Sequence, residues 1–486
     1  MGTSARKRGA GLAEKALRHK KQTLKPRSAQ GPVYHLGMTL HTRLISDLIF
    51  PLQERLKKHT TVRVKREMEA SQYWPIDKLE ALRVGRLRSL LTHAGQHVPY
   101  YRDLFGRLGF DPRAVSSCAD LQQLPFLTKT EIRAHTDALK SEGADDLARF
   151  NTGGSSGEPL VFFIGNERVS HDVAAKWRAT RWWGVDIGDP EIVLWGSPIE
   201  LTSQDRARRW RDALMRTQLL PAFEMSPEKV AGFIEKIRAM RPAMLFGYPS
   251  AFAHIARHAE AHSIKMDNLG IRVAFVTSER LYDHQRELIQ RVFNCPVANG
   301  YGGRDAGFIA HECPSGGMHL THEDLIVEIV DPQGKVVPAG ESGEIVVTHL
   351  ATRHFPFVRY RTGDIAALGT EACACGRTLP LLKDLQGRST DFLVARNGTV
   401  MHGLSLIYIV RDLAGVKQFK IVQESLDLTR ILLVTDEHFD RALLPDIERG
   451  AKARLGADVT VDVQLVDEIP PEKSGKYRYV ISRVAT

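Results

Sequence analysis

Four short apolar runs between residues 190 and 300 constrain the fold of this chain more than any other feature. They are "EIVLWG" (191–196), "AMLFGY" (243–248), "RVAFVT" (272–277) and "CPVANG" (295–300). None alternates polar with apolar residues, so each predicts a strand buried on both faces. Helical segments separate them, one opening at Ser226-Pro227, an N-cap followed by a first-turn proline. Strands alternating with helices in this way predict a parallel, mostly buried sheet. Upstream, residues 40–140 read mainly as helices; in "KLEALRVGRLRSLLTHAG", Leu79, Leu82, Leu87 and Leu90 fall at helical spacing. Downstream, residues 324–350 read as a β-hairpin turning at Pro332-Gln333-Gly334. After about Gly387 a smaller α/β unit follows, with strands near 418–424, 430–435 and 460–466 and a helix near 440–454.

The 486 residues are enough for more than one domain, and 43% hydrophobic with 26% charged residues suits a soluble globular protein. No run of about 18 apolar residues predicts a transmembrane helix. The basic N-terminus lacks the apolar stretch of a secretory signal. Five cysteines, an odd number, argue against a disulfide framework and for a reducing, cytoplasmic setting. The formal charge of +10 is concentrated in residues 1–30, where nine Lys or Arg face one acid, Glu14. That segment suits an anionic membrane surface or nucleic acid, and equally a solvated, flexible extension. The rest of the chain is too nearly neutral for a nucleic-acid binder.

Four polar stretches carry candidate chemistry. "NTGGSSGEP" (151–159) can offer backbone N–H groups and hydroxyls to a phosphate, yet it lacks the Gly-Lys-Ser/Thr ending of a Walker A loop. "NGYGGRDAG" (299–307) follows a predicted strand, where ligand crevices of parallel sheets open; Tyr301 could stack on a base and Asp305 hold magnesium. "RYRTGDIA" (359–366) sets Asp364 after a Thr-Gly turn, where its carboxylate could accept both hydroxyls of a ribose or merely close the turn. "PEKSGKYRY" (471–479) puts Lys476 in a polar turn, as a point charge for a phosphate or as a solvated strand edge.

These stretches, with "GRSTDF" (387–392), occur in an order that resembles the adenylate-forming superfamily of acyl-CoA synthetases, adenylation domains and luciferases. "LLTHAGQHVPYYRDLFGRLGFDP" and "DLQQLPFLTKTEIRAH" look like its phenylacetate–CoA ligase branch. "LFGYPSAFAHIARH" and "SGKYRYVIS" look closer to capsular-polysaccharide-biosynthesis relatives of that branch. The resemblance spans about residues 75–486. It implies an α/β fold with a large ATP- and acid-binding domain with parallel sheets and a β-rich part (31–386) and a small mobile C-terminal domain (387–486), preceded by the flexible basic tail (1–30) that composition suggests. It further implies that Thr152, Gly153, Gly154, Ser155, Ser156 and Gly157 form the phosphate loop. Asn299, Gly300 and Tyr301 would flank adenine, Asp364 with Arg388 would take the ribose, and Asp305 would stand at the magnesium position. Lys476 would be the mobile catalytic lysine. Trp195, Ser197, Phe246, Tyr248 and Gly302 are the expected acid pocket, their size suggesting an aromatic or flat substrate. The chain departs from the family where Glu158 stands for the usual lysine, Arg304-Asp305 for Thr-Glu, and "TSERL" (277–281) for Ser-Gly-Glu.

Cys313, His319, Cys373 and Cys375 make a structural zinc set, three thiols and an imidazole, with Cys-x-Cys-Gly as a tight knuckle. Some phenylacetate–CoA ligase relatives show a similar arrangement. His311 and His322 are alternatives to His319, and Cys118 and Cys295 read as ordinary buried thiols. The expected activity is attack of a carboxylic acid on Mg-ATP, giving acyl-AMP and pyrophosphate, then transfer to coenzyme A as co-substrate. Transfer to an amine or a carrier-protein thiol, and a non-catalytic binding module, are the alternatives. Neither the acid nor the oligomeric state is legible.

Overall fold

The computed structural model describes residues 39–151, 160–196, 211–222, 224–386, 392–410, 413–469 and 479–484. The four apolar runs fall within one sheet of seven strands. Its strands are β3 (Glu191–Trp195), β4 (Thr217–Pro221), β6 (Met244–Gly247), β7 (Val273–Thr277), β8 (Val297–Gly303), β9 (Gly307–Glu312) and β10 (Met318–Leu320), in spatial order 4-3-6-7-8-9-10. Strands 4, 3, 6, 7 and 8 run parallel; β9 and β10 add an antiparallel edge. Helices α5 (Pro227–Met240), α6 (Pro249–Ala261) and α7 (Asp283–Phe293) connect the parallel strands. The first begins as its sequence dictates: the Ser226 side chain accepts from Lys229 N–H, and Pro227 occupies the first turn. Val230, Phe233, Ile234, Phe252, Ile255 and Phe293 from these helices cover one sheet face.

Ahead of the sheet come α1 (Thr61–Ser71), α2 (Ile76–His97), α3 (Pro99–Leu108) and α4 (Asn166–Arg181), with a two-stranded ribbon of β1 (Ala148–Asn151) and β2 (Val161–Ile164). A four-stranded antiparallel sheet follows: β11 (Leu325–Val330), β12 (Ser342–His349), β13 (Tyr360–Leu368) and β14 (Leu382–Gln386). The expected turn lies after β11, where Asp331 accepts from the N–H groups of Gln333 and Lys335 and Gly334 takes a φ of 81°. Buried charges tie the helices to this region. Arg178 of α4 pairs with Glu323 at 2.7 Å, while Arg86 of α2 and His171 of α4 pair with Asp324 at 2.6 and 2.8 Å. Removing one partner of such a pair costs about 3–5 kcal/mol, because the other stays buried and charged.

The C-terminal α/β unit has β17 (Val416–Gln423), β18 (Leu428–Thr435), β19 (Thr460–Leu465) and β20 (Val480–Ser482) in order 19-18-17-20, packed on α8 (Leu404–Val410) and α9 (Leu444–Leu455). Its hairpin, β15 (Phe392–Val394) and β16 (Val400–His402), adds to β5 (Glu224–Met225), with Val400 opposite Met225. Val394 and Val400 thereby join the apolar cluster of the parallel sheet. This junction had no signature in the sequence. Among the described residues no helix is long and apolar enough to cross a membrane.

Candidate active site and metal centre

The carboxyl ends of the parallel strands carry an aromatic ladder. Trp195, at the end of β3, stacks on Tyr248 (4.7 Å between ring centres, 22° between planes) and on Phe246 (6.2 Å), which stacks on Phe275 of β7 (6.0 Å). Parallel register puts Phe246 beside Phe275, so the rings share one sheet face. Gly300 continues this row: a Cβ there would lie 2.9 Å from the Phe275 ring. Burial and the nearby Glu279 carboxylate raise the Tyr248 hydroxyl well above its ordinary range. Tyr408, from α8 of the C-terminal unit, lies near both Tyr248 and Arg304. Ser197, the remaining expected pocket residue, lies outside the described residues, as do Thr152–Gly157, Arg388 and Lys476.

The β8–β9 hairpin holds the second group. The Tyr301 hydroxyl donates to the Asp364 carboxylate at 2.9 Å, joining motifs 63 residues apart. Burial, then the Asp364 charge, raise the Tyr301 hydroxyl well above the usual tyrosine range, so it remains a proton donor. Asp305 lies beside them and accepts from the Tyr360 hydroxyl at 2.6 Å and from Ala306 N–H at 3.0 Å. The fully buried Arg168 guanidinium reaches the Arg304 and Asp305 carbonyls at 3.3–3.4 Å. Asn299 is half-buried, and its N–H donates to Glu312 at 2.8 Å. The glycines here serve the hairpin itself: a Cβ on Gly302 would sit 2.2 Å from the Gly307 carbonyl. Ser278, in the "TSERL" segment, takes a φ of 71°, which glycine adopts without steric cost.

Sequence reasoning did not assign Tyr360, Arg168, Glu279 or Tyr408. Tyr360 lies within "RYRTGDIA", so the motif itself held the signal, but its partner Asp305 is 55 residues away. Arg359, in the same stretch, is structural. Its guanidinium makes a two-pronged pair with Glu328 of β11 (3.0 and 2.9 Å) and donates to the Leu124 carbonyl at 2.7 Å.

The four expected zinc ligands come together. Their ligand atoms all lie within 4.8 Å of one another. Cys313 Sγ is 3.6 Å from Cys373 Sγ, and His319 Nε2 is 3.1 Å from Cys375 Sγ. His319 Nδ1–H donates to the Leu379 carbonyl at 2.9 Å, which leaves Nε2 free to face an ion, the usual support of a metal-bound histidine. The knuckle closes through Gly376 N–H to the Cys373 carbonyl at 3.1 Å, with Gly376 at a φ of 78°. Gly317 admits the cluster, since a Cβ there would meet Cys373 Sγ at 2.6 Å. The Cys313 thiol donating to Cys375, then His319 and Arg377, hold Cys375 below the ordinary thiol range. This donor set fits a closed tetrahedral ion and couples β9–β10 to residues 60 positions on. Neither alternative histidine belongs to this group of four. The two ring nitrogens of His311 make no hydrogen bond, and burial lowers that ring to about 3; His322 pairs with Glu80 and Arg83. Cys295 is buried as expected; Cys118 is only half-buried, with its thiol 3.8 Å from Glu80.

A parallel sheet carrying an aromatic ladder and the Tyr301–Asp364 pair, followed by a small α/β unit, is the arrangement of the adenylate-forming class of fold. A family model described as AMP-binding enzyme matches residues 216–351, and one described as CapK C-terminal domain matches residues 393–483. Protein CapK of Staphylococcus aureus is 24% identical over 437 residues, covering 89% of this chain and 94% of that protein. Phenylacetate-coenzyme A ligase of Thermus thermophilus is 26% identical over 438 residues, covering 84% and 97%. A solved 2-hydroxyisobutyryl-CoA ligase in complex with 2-HIB-AMP and CoA shares the fold with a TM-score of 0.61 at 22% identity, covering 85% of this chain and 93% of that one. These matches make the chain similar, over most of its length, to ligases of the adenylate-forming superfamily, with relatives on the phenylacetate–CoA ligase branch and in CapK.

Proposed function

We propose that this protein activates a small carboxylic acid with ATP, releasing pyrophosphate, and then passes the acyl group from acyl-AMP to coenzyme A. The observation that carries this reading is the hydrogen bond from Tyr301 to Asp364, which unites the two motifs expected to hold adenine and ribose. The relatives named phenylacetate-coenzyme A ligase support the acid and the coenzyme A step.

In this reading Asp364 accepts the ribose hydroxyls with Arg388 beside it, Asn299, Gly300 and Tyr301 flank adenine, and Thr152–Gly157 cradle the phosphates. Magnesium would be held by Asp305, whose oxygens each keep a second lone pair beyond the Tyr360 and Ala306 bonds, and would supply charge neutralisation at the phosphates. Lys476 adds a positive charge in the first half-reaction; a domain of residues 387–486 then moves on residues 31–386 and withdraws it. Positioning and charge neutralisation supply most of the rate, as in other transfers to phosphorus. Trp195, Ser197, Phe246, Tyr248 and Gly302 face the acid, and the stacked Trp195–Tyr248 pair favours a flat one. Cys313, His319, Cys373 and Cys375 hold a structural zinc, and reduced thiols suit the cytoplasm.

A second reading of the acceptor is an amine or a carrier-protein thiol. ATP–pyrophosphate exchange over a panel of aromatic and aliphatic carboxylates tests the first step; release assays with coenzyme A, amines and a carrier protein test the second. ATP binding without exchange on any acid would leave only a binding module.

A further inference from the structure

The helical stretch at the start of the described chain is inside out. It runs without a break through Leu40–Leu44, a π-helical turn Ile45–Ile49 and Phe50–Leu56. Leu40, Leu44, Leu48, Leu52 and Leu56 recur every fourth residue, and all five are 49–85% exposed. The residues midway between them, Thr42, Ser46, Phe50 and Glu54, are 0–7% exposed, and three of these four are polar. An α-helix turns about 40° too far in four residues, so five leucines at this spacing would spiral round it. The π-helical turn advances less per residue and holds the stripe nearer one side. The opposite side is anchored: Thr42 donates to Asp189 at 2.9 Å, Thr61 and His59 bond Glu54, and Ile45 and Phe50 pack with Ile187. Leu214, 43% exposed, extends the leucine face near Leu40, its carbonyl 3.2 Å from the His41 ring.

A contiguous exposed apolar stripe on an anchored helix marks a contact surface. Its charge selects the partner. Arg43, Arg55, Lys57 and Lys58 are exposed on this stretch, where Asp47 is the one exposed acid. The chain just upstream carries nine Lys or Arg against one Glu in residues 1–30. Apolar side chains flanked by cations are what a helix lying in an anionic bilayer surface presents, leucines reaching the acyl boundary and cations the headgroups. We infer that the Leu40–Leu56 face docks this protein on a membrane surface bearing anionic lipid, without spanning it.

The test is flotation of the full-length protein with vesicles of phosphatidylcholine alone or with 30 mol% phosphatidylglycerol. The protein should float with the anionic vesicles, and binding should weaken with added salt. Leu48→Glu together with Leu52→Glu should lower partitioning at least tenfold, with melting temperature and ATP–pyrophosphate exchange kept at the unsubstituted level. Deleting residues 1–30 should lower it further. Failure of the unsubstituted protein to float, or equal flotation of the double variant, overturns the inference. So does stronger flotation after deletion, which would mean that residues 1–30 cover the leucines. So does a dimer by sedimentation that the double variant dissolves while flotation stays unchanged, which would make a second copy the occupant.

Discussion

If Asp364 is the ribose acceptor, its removal should weaken ATP binding by an amount the site geometry sets. The carboxylate already accepts a hydrogen bond from Tyr301 at 2.9 Å. A charged acceptor's hydrogen bond contributes about 1.5–3 kcal/mol, and the ribose hydroxyls would donate to this carboxylate. Asp364→Ala should therefore raise the ATP dissociation constant roughly tenfold to a hundredfold, at 1.4 kcal/mol per decade. The Tyr301 partner makes the reasoning more exacting. Tyr301→Phe removes the donor that orients Asp364 but leaves its charge, so it should cost less than Asp364→Ala. The double variant should cost less than the two single losses together, because contacting partners are coupled. Equilibrium titration of ATP into the four proteins, each checked by thermal melting, gives the cycle. An unchanged ATP affinity in Asp364→Ala would reduce the Arg-Thr-Gly-Asp stretch to a turn. Strict additivity would show that Tyr301 and Asp364 act apart.

The purified protein should contain about one zinc per chain, and Cys373→Ser should lower zinc content and melting temperature together, since binding is linked to folding; full occupancy after replacing both Cys373 and Cys375 would refute the site. Lys476→Ala should still bind ATP but form acyl-AMP roughly a hundredfold more slowly, while thioester formation from supplied acyl-AMP is largely spared; equal losses in paired single-turnover assays would reject the alternating role. Stability should fall as pH drops below about 6.5, the ordinary histidine range. Burial lowers His93, His254 and His349 to about 4, so the unfolded chain takes up their protons first and gains on the folded one down to that pH. Glu80, lowered to about 2 by its His322 hydrogen bond, extends the loss below the usual glutamate range, while His171, raised by Asp324, opposes it; denaturant midpoints from pH 7 to 4 that stay flat or rise would contradict this sum.

What the chain determined by itself is what short-range chemistry controls. Short apolar runs bounded by turn residues and separated by helical segments read as buried strands, and Ser226 satisfies a first-turn N–H group of its helix whatever that helix packs against. The Cys and His set was legible for a similar reason, since few arrangements use three thiols and an imidazole so placed. The sequence itself favours His319 over His311, and the fold supplies the physical reason, turning one ring toward Cys375 and enclosing the other between Phe275 and Phe308. The separate roles within "RYRTGDIA" needed the fold. Arg359, Tyr360 and Asp364 are neighbours in sequence, yet one clamps β11, one holds Asp305 and one receives Tyr301. The pairing of β16 with β5 and the outward turn of Leu40, Leu44, Leu48, Leu52 and Leu56 were equally hidden. A periodic pattern shows that a helix has two faces; which face meets the protein depends on surfaces brought from far along the chain, here Asp189 and Ile187, and only tertiary packing assembles them.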